Sequence, residues 1–325
     1  MKSESGNMRN EPVNSTFFLY NTVCSITIYD DCEDAVKILE GARDIAFHIR
    51  RMLDFYDPCS ELGKLNERHE TGVPYKVSKE LCLFISELLR FSDLSEGCFD
   101  PTVGPVVRLW NITALEPKAP TKHEIEDARA KTGAAYVSCD ITNNTITFEK
   151  EGMVIDAGGA GKGYAAGCVS EYLKAQGIKS ASVNFGGNLY LIGPKTLPDG
   201  TKVSWKVGIQ TPWKANPECM GFLTLQDCGT ATSGGYDRYF TINEKIYHHL
   251  LDPRSGYPAD YDLDSVTIVS ESALYTDLLS TACFVGGEEM AMRICRKAGK
   301  AGYVLIRKDG KVLVSGNLEH CFKIN

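Results

Sequence analysis

Apolar positions along this chain change period several times, and the changes divide it into strands and helices. Residues 17–29 are enriched in Thr, Ile, Val and Tyr and read as a strand. Residues 33–53 carry Ala35, Ile38, Leu39, Ala42, Ile45, Ala46 and Ile49 at helical spacing, which predicts an amphipathic helix. Residues 78–95 predict a second helix, with Ser78 as N-cap and Leu81, Phe84, Ile85 and Leu88 turned inward. Pro101, Pro105, Pro117 and Pro120 bracket an irregular stretch, and residues 121–131 read as a short charged helix. Met153 to Ile155 end a short strand, after which Ala165, Val169, Tyr172, Leu173 and Gln176 return to helical spacing. Residues 180–193 form a strand interrupted at Gly186-Gly187, and residues 202–227 a pair of strands joined by a loop. A strand at 265–270, helices at 272–284 and 288–298, and a hairpin turning at Asp309-Gly310 complete the chain. With no repeat, no linker and no long parallel run, the predicted class is α+β, with mixed sheets and flanking helices.

Composition narrows the partners. Of 325 residues, 43% are hydrophobic and 24% charged, ordinary for a globular protein with a real core. A net charge of -7 without a basic stripe argues against nucleic acid as the main partner, though a small anion could bind at a local positive site. No apolar run approaches the roughly 18 residues of a membrane span. The twelve cysteines are scattered, with the shortest step the eight residues from Cys24 to Cys32, so no C-x-x-C motif exists. Buried free thiols are the expectation, and they favour the cytoplasm. Met1 to Ser15 is polar and has no signal-peptide core. It also resembles the tether left once an export signal is removed, so an extracytoplasmic, membrane-anchored lipoprotein is the alternative.

Four segments carry candidate chemistry. Residues 155–164, Ile-Asp-Ala-Gly-Gly-Ala-Gly-Lys-Gly-Tyr, run from a strand end through glycines into a helix. That arrangement offers backbone N–H groups and a helix N-terminus to an anion, and Lys162 adds a full charge. It fits neither the dinucleotide fingerprint nor the P-loop, and a tight turn or close helix packing is the other explanation. Residues 97–104 surround Asp100 with glycines, a proline and a threonine, where a capped turn competes with a site. Residues 231–236 and 249–256 combine hydroxyls, glycines, His249 and an Asp-Pro turn, which suits phosphate chemistry, with a structural histidine as the competing reading. Asp277 and Thr281, four residues apart, share one helix face and offer hard oxygens suited to magnesium. The competing reading is a threonine bonding its own helix carbonyl beside a solvated carboxylate.

Taken in order and spacing, these segments resemble the FAD:protein FMN transferase (ApbE-like) family, also known as thiamine-biosynthesis lipoproteins. The resemblance runs from about Phe17 to Cys321. It rests on Gly97-Cys-Phe-Asp-Pro-Thr-Val-Gly-Pro105 with Leu109-Trp110, the loop from Asp156 to Tyr164, Val183-Asn-Phe-Gly-Gly-Asn188, Thr232-Ser-Gly234, His249 to Pro258, and Asp277 to Thr281. It implies a single unit, residues 17–325, of two intertwined subdomains with FAD in the cleft between them, preceded by a flexible segment 1–16.

The family transfers FMN from FAD to a Thr or Ser hydroxyl of a target flavoprotein, with Mg2+, releasing AMP. By resemblance, Asp277, Thr281 and the Gly159 carbonyl would be metal ligands. Tyr20, Tyr56, Cys98, Phe99, Asp100, Asp156, Lys162 and Leu251 would bind FAD, and His249 would be the base, titrating near neutral pH. One departure stands out, since Tyr20-Asn21-Thr22 replaces the family's Met-Gly-Thr; Asn tolerates the left-handed backbone that Gly would supply. Two other functions fit the same residues: an FAD pyrophosphatase giving FMN and AMP, and a non-catalytic FAD-binding protein.

Overall fold

The computed structural model describes residues 11–214, 218–299 and 301–324. The stretch expected as one strand at 17–29 folds as two, Val13–Leu19 and Thr22–Ile28, paired antiparallel with Leu19 opposite Thr22. The break falls at Tyr20 and Asn21, both left-handed at φ 53° and 56°. This is the two-residue turn whose twist matches that of a hairpin. Residues 13–16, placed by the sequence in a flexible 1–16 segment, therefore belong to a strand. Three of the four, Asn14, Ser15 and Thr16, are polar, which hid a role that backbone pairing with Thr22–Ile28 creates. Residues 1–10 lie outside the described residues.

Eight strands build the main sheet, in the order Val13–Leu19, Thr22–Ile28, Ala181–Phe185, Asn188–Ile192, Cys228–Gly234, Leu263–Ser270, Ala301–Arg307 and Val312–Val314. All of these neighbours are antiparallel, so this sheet contains no parallel pair, in agreement with the α+β class. Among the described residues seven α-helices accompany it: α1 (Ala35–Leu53), α2 (Glu61–Arg68), α3 (Lys79–Leu94), α4 (Gly104–Trp110), α5 (Lys122–Ala130), α6 (Gly161–Ala175) and α7 (Ala273–Ala298). The apolar stripe of α1 is buried as its spacing predicts. α3 begins where expected, because Ser78 Oγ accepts the Leu81 N–H at 3.1 Å. α7 is broken at Gly287 (φ 77°, ψ 179°), which reproduces the two helices read from the sequence.

Helices α1, α6 and α7 pack on the main sheet, and their side chains form the large core with Ile26, Val183, Val266 and Ile268. A second buried cluster joins Val269, Val304 and Ile306 of this sheet to Trp205, Leu223 and Leu225 of the three-stranded sheet Trp205–Gln210, Cys219–Leu225 and Phe322–Ile324. Layers on both faces explain why Leu263–Ser270 is buried along nearly all its length. A third cluster packs α4 and α5 against the hairpin Tyr239–Ile242 and Lys245–His248 through Val106, Trp110, Ile125, Phe240 and Leu251. All twelve cysteines are unpaired and half of them are buried, packing as small apolar side chains.

Candidate active site

The glycine loop is tied to two partners before any ligand is considered. Asp156 donates its backbone N–H to the Pro101 carbonyl at 2.7 Å, and its carboxylate accepts the Gly158 N–H at 2.8 Å. Burial raises the carboxyl above its ordinary range, against the pull of the Gly158 amide and of Arg108. Beyond the loop, α6 crosses α7 so closely that a Cβ at Gly163 would lie 2.5 Å from the Ala273 carbonyl oxygen and 2.6 Å from Asp277 Cβ. The close-packing reading of this loop holds at Gly163, and that packing brings the N-terminus of α6 to Asp277.

Asp277 is 4% exposed. One carboxylate oxygen accepts the Gly163 N–H at 2.9 Å, capping α6, and the other lies 4.0 Å from Lys162 Nζ. One turn along α7, Thr281 faces the same loop: a Cβ at Gly159 would sit 3.3 Å from Thr281 Oγ1 and from Phe99 Cε2. The alternative in which Thr281 bonds its helix carbonyl is not realised. Ser280 Oγ donates to the Asp277 carbonyl at 3.0 Å, and the Thr281 hydroxyl makes no hydrogen bond among the described residues.

Asp277, Thr281 and the Gly159 backbone thus assemble as one group. They offer a single carboxylate, a free hydroxyl and a backbone segment, all hard oxygen donors, which fits Mg2+ completing its shell with phosphate and water. Among the described residues no cluster of three or more His, Cys, Asp or Glu side chains could hold a metal, so a nitrogen- or sulfur-rich site has no counterpart here.

His249 follows the hairpin strand Lys245–His248. Its backbone N–H donates to the Arg238 carbonyl at 3.1 Å, and its Nδ1 lies 3.3 Å from the same oxygen. A carbonyl only accepts, so this contact places the ring proton on Nδ1 and leaves Nε2 with its lone pair. Burial, and then the positive charge of Arg238, push the ring down to about 4. The near-neutral titration expected from the sequence is therefore corrected: His249 is neutral at pH 7 with a wide margin. His248 differs. Its Nε2 donates to the Ala259 carbonyl at 2.8 Å, its Nδ1 accepts the Leu250 N–H at 3.3 Å, and its ring packs edge-on against Phe284.

The other expected FAD residues divide by how free their side chains are. Lys162 is partly exposed, and its charge acts on His249 and on Asp237. Tyr56 is 72% exposed, with its ring edge-on to Phe55 and with Asp156, Arg238 and Arg108 acting on its hydroxyl. Phe99 packs edge-on against Phe91 and presents Cε2 to Gly159.

Cys98 is buried and its thiol is pushed up to about 11 by that burial. Asp100 accepts from the Thr102 N–H and hydroxyl and from the Ala134 N–H, so the capped turn weighed for this segment is real. Leu251 is buried beside Trp110 and Phe240. The Tyr20 hydroxyl donates to the Ala46 carbonyl at 3.0 Å, and its ring turns toward Phe185. The Cys98 and Leu251 side chains are thus buried, and those of Asp100 and Tyr20 are hydrogen-bonded within the protein.

Three charged residues went unmarked in the sequence: Arg108, Asp237 and Arg238. The last two directly follow Gly234-Gly235-Tyr236, and that adjacency was the available signal. The loop after His249 is braced by Arg254, whose Nε lies 2.8 Å from Asp252 Oδ1, and by Trp110, whose Nε1 donates to the Gly256 carbonyl at 2.7 Å.

A sequence model of the ApbE family matches residues 20–306. The chain belongs to the ApbE family. Among relatives, a Klebsiella pneumoniae protein named FAD:protein FMN transferase is 32% identical over 242 residues, covering 74% of this chain and 73% of that protein. The crystal structure of the ApbE protein from Thermotoga maritima superimposes with a TM-score of 0.86 at 30% identity, covering 96% of this chain and 99% of the other. The flavin transferase ApbE from Vibrio cholerae gives 0.83 at 27% identity over 96% and 99%. The ApbE match spans the Tyr20 turn, the glycine loop, the His249 hairpin and the Asp277 helix together.

Proposed function

We propose that this chain is a flavin transferase that moves the FMN half of FAD onto a Thr or Ser hydroxyl of an acceptor flavoprotein through a phosphoester bond, with Mg2+ held by Asp277, Thr281 and the Gly159 backbone. The acceptor oxygen attacks the phosphorus that carries riboflavin, the bond from that phosphorus to the bridging oxygen breaks, and AMP leaves with that oxygen. Bound there, Mg2+ would neutralise charge on the pyrophosphate as the bond to AMP breaks. Lys162 and the amide end of α6 hold the pyrophosphate at the same place. His249 Nε2 takes the acceptor proton, a role suited to a ring whose other nitrogen is already protonated.

The observation that carries this reading is the convergence on Asp277. A buried carboxylate, an unbonded Thr281 hydroxyl and the Gly159 backbone meet at the start of a helix, beside a lysine whose charge also reaches His249. A non-catalytic FAD carrier would need neither this oxygen cluster nor a neutral histidine. The pyrophosphatase reading retains one argument: Tyr56 is 72% exposed and does not close the site against water.

Incubation with FAD, Mg2+ and a candidate flavoprotein domain separates the two. An FMN-sized mass increase on a Thr or Ser supports transfer. Free FMN and AMP with an unmodified acceptor would support hydrolysis.

A further inference from the structure

Arg238 and His249 face each other where the hairpin opens. Tyr239 pairs with His248, and one step outward the Arg238 carbonyl receives both the backbone N–H and the Nδ1–H of His249. A single residue thus fixes the backbone and the ring of the proposed base. The Arg238 side chain is exposed, and among the described residues its guanidinium makes no hydrogen bond and no ion pair. The Arg238 backbone holds His249 at the edge of the candidate site, and its positive charge acts on Asp237, Tyr56 and His249. Of the other cations there, Lys162 is opposite Asp277 at 4.0 Å and Arg108 lies over the Phe55 ring. In a chain of net charge -7, an uncommitted guanidinium at this point is available to an anion, and its planar fork of donors matches phosphate oxygens.

We propose that Arg238 is a positioning residue of the transfer site, its carbonyl holding His249 in the Nδ1–H form and its guanidinium binding the phosphate of the flavin dinucleotide. The inference rests on FAD being the substrate and adds a residue to that site. Substituting the side chain leaves the carbonyl in place, so the ring stays oriented while the charge is removed. The charged and titratable groups acting on His249 are Arg238, His248 and Lys162, with burial the largest influence. Loss of Arg238 therefore lets the ring take up a proton at higher pH than before, while burial keeps it below an ordinary histidine.

The test compares wild type with Arg238→Gln and Arg238→Lys, using calorimetry with FAD and with riboflavin and the pH profile of kcat/KM for AMP release. Arg238→Gln weakens FAD by about 10- to 100-fold, the range for losing a charged hydrogen-bonding partner, and leaves riboflavin affinity unchanged. Its acid limb moves up from about pH 4, and Arg238→Lys retains most of both properties. Equal losses for FAD and riboflavin, or wild-type FAD affinity in Arg238→Gln, would overturn the proposal. Hydrolysis of FAD without an adduct by the wild type would sink the transfer reading alone, because the comparison of FAD with riboflavin still decides the role of Arg238.

Discussion

At the scale of single residues, the site depends on groups that the fold leaves unsatisfied or unusually charged. Lys162 stands 4.0 Å from a carboxylate that is almost fully buried, and it has charge to offer a phosphate. Lys162→Ala is expected to weaken FAD more than riboflavin, which has no phosphate; equal losses in calorimetric titrations would make the lysine a structural brace of the loop. His249 is held neutral by burial and by Arg238, so its contribution is present at neutral pH and is lost as pH falls through about 4. His249→Asn should keep FAD and Mg2+ binding yet slow transfer by about 100- to 10,000-fold, the range for a general base, and should lose that acid limb. His248→Asn disturbs a buried ring bonded to Ala259 and Leu250, and is expected to lower the melting temperature while sparing the chemistry. Rapid transfer by His249→Asn, with chemistry rate-limiting, would remove the histidine from the mechanism.

At the scale of elements, the crossing of α6 over α7 is the decisive contact. Gly163→Ala would press a methyl group into the Ala273 carbonyl and Asp277 Cβ. Opening the crossing should cost about 1 to 3 kcal/mol and raise the Mg2+ concentration needed for half-maximal activity. Thermal melts and a Mg2+ titration check both, and an unchanged variant would show that the helices can separate without harm.

The sequence made α6, α7 and the Gly287 break legible because helical spacing and glycine are local signals. It allowed close helix packing for the glycine loop but did not reveal that Gly163 packs on α7, a helix more than a hundred positions away. Two hairpins escape the sequence for a related reason. Residues 17–29 read as one strand although Asn21 tolerates left-handed backbone, and nothing marks Asn243-Glu244, because neither turn carries the glycine that ordinarily signals one.

At the scale of the whole molecule, the order of the main sheet was the least legible feature. Thr22–Ile28 pairs with Ala181–Phe185, roughly 150 residues later, and apolar period reports burial rather than partner. The α+β class was readable from the alternation of elements, and the motifs that resemble the ApbE family were readable because each is short and contiguous. His249 with Arg238, and Asp277 with Gly163, meet only through long-range folding, so the tautomer, the depressed histidine and the helix cap needed the structure. Asp277 itself has two jobs, and Asp277→Asn separates them because an amide oxygen can still accept the Gly163 N–H while the anionic charge is gone. The most direct measurement is the intact mass of an acceptor domain, with AMP quantified in parallel, after incubation with FAD at limiting Mg2+ and either wild type or Asp277→Asn. Wild type should yield an FMN-sized adduct with one AMP per adduct, and Asp277→Asn neither; AMP without adduct from the wild type, or wild-type adduct from Asp277→Asn, would contradict the account.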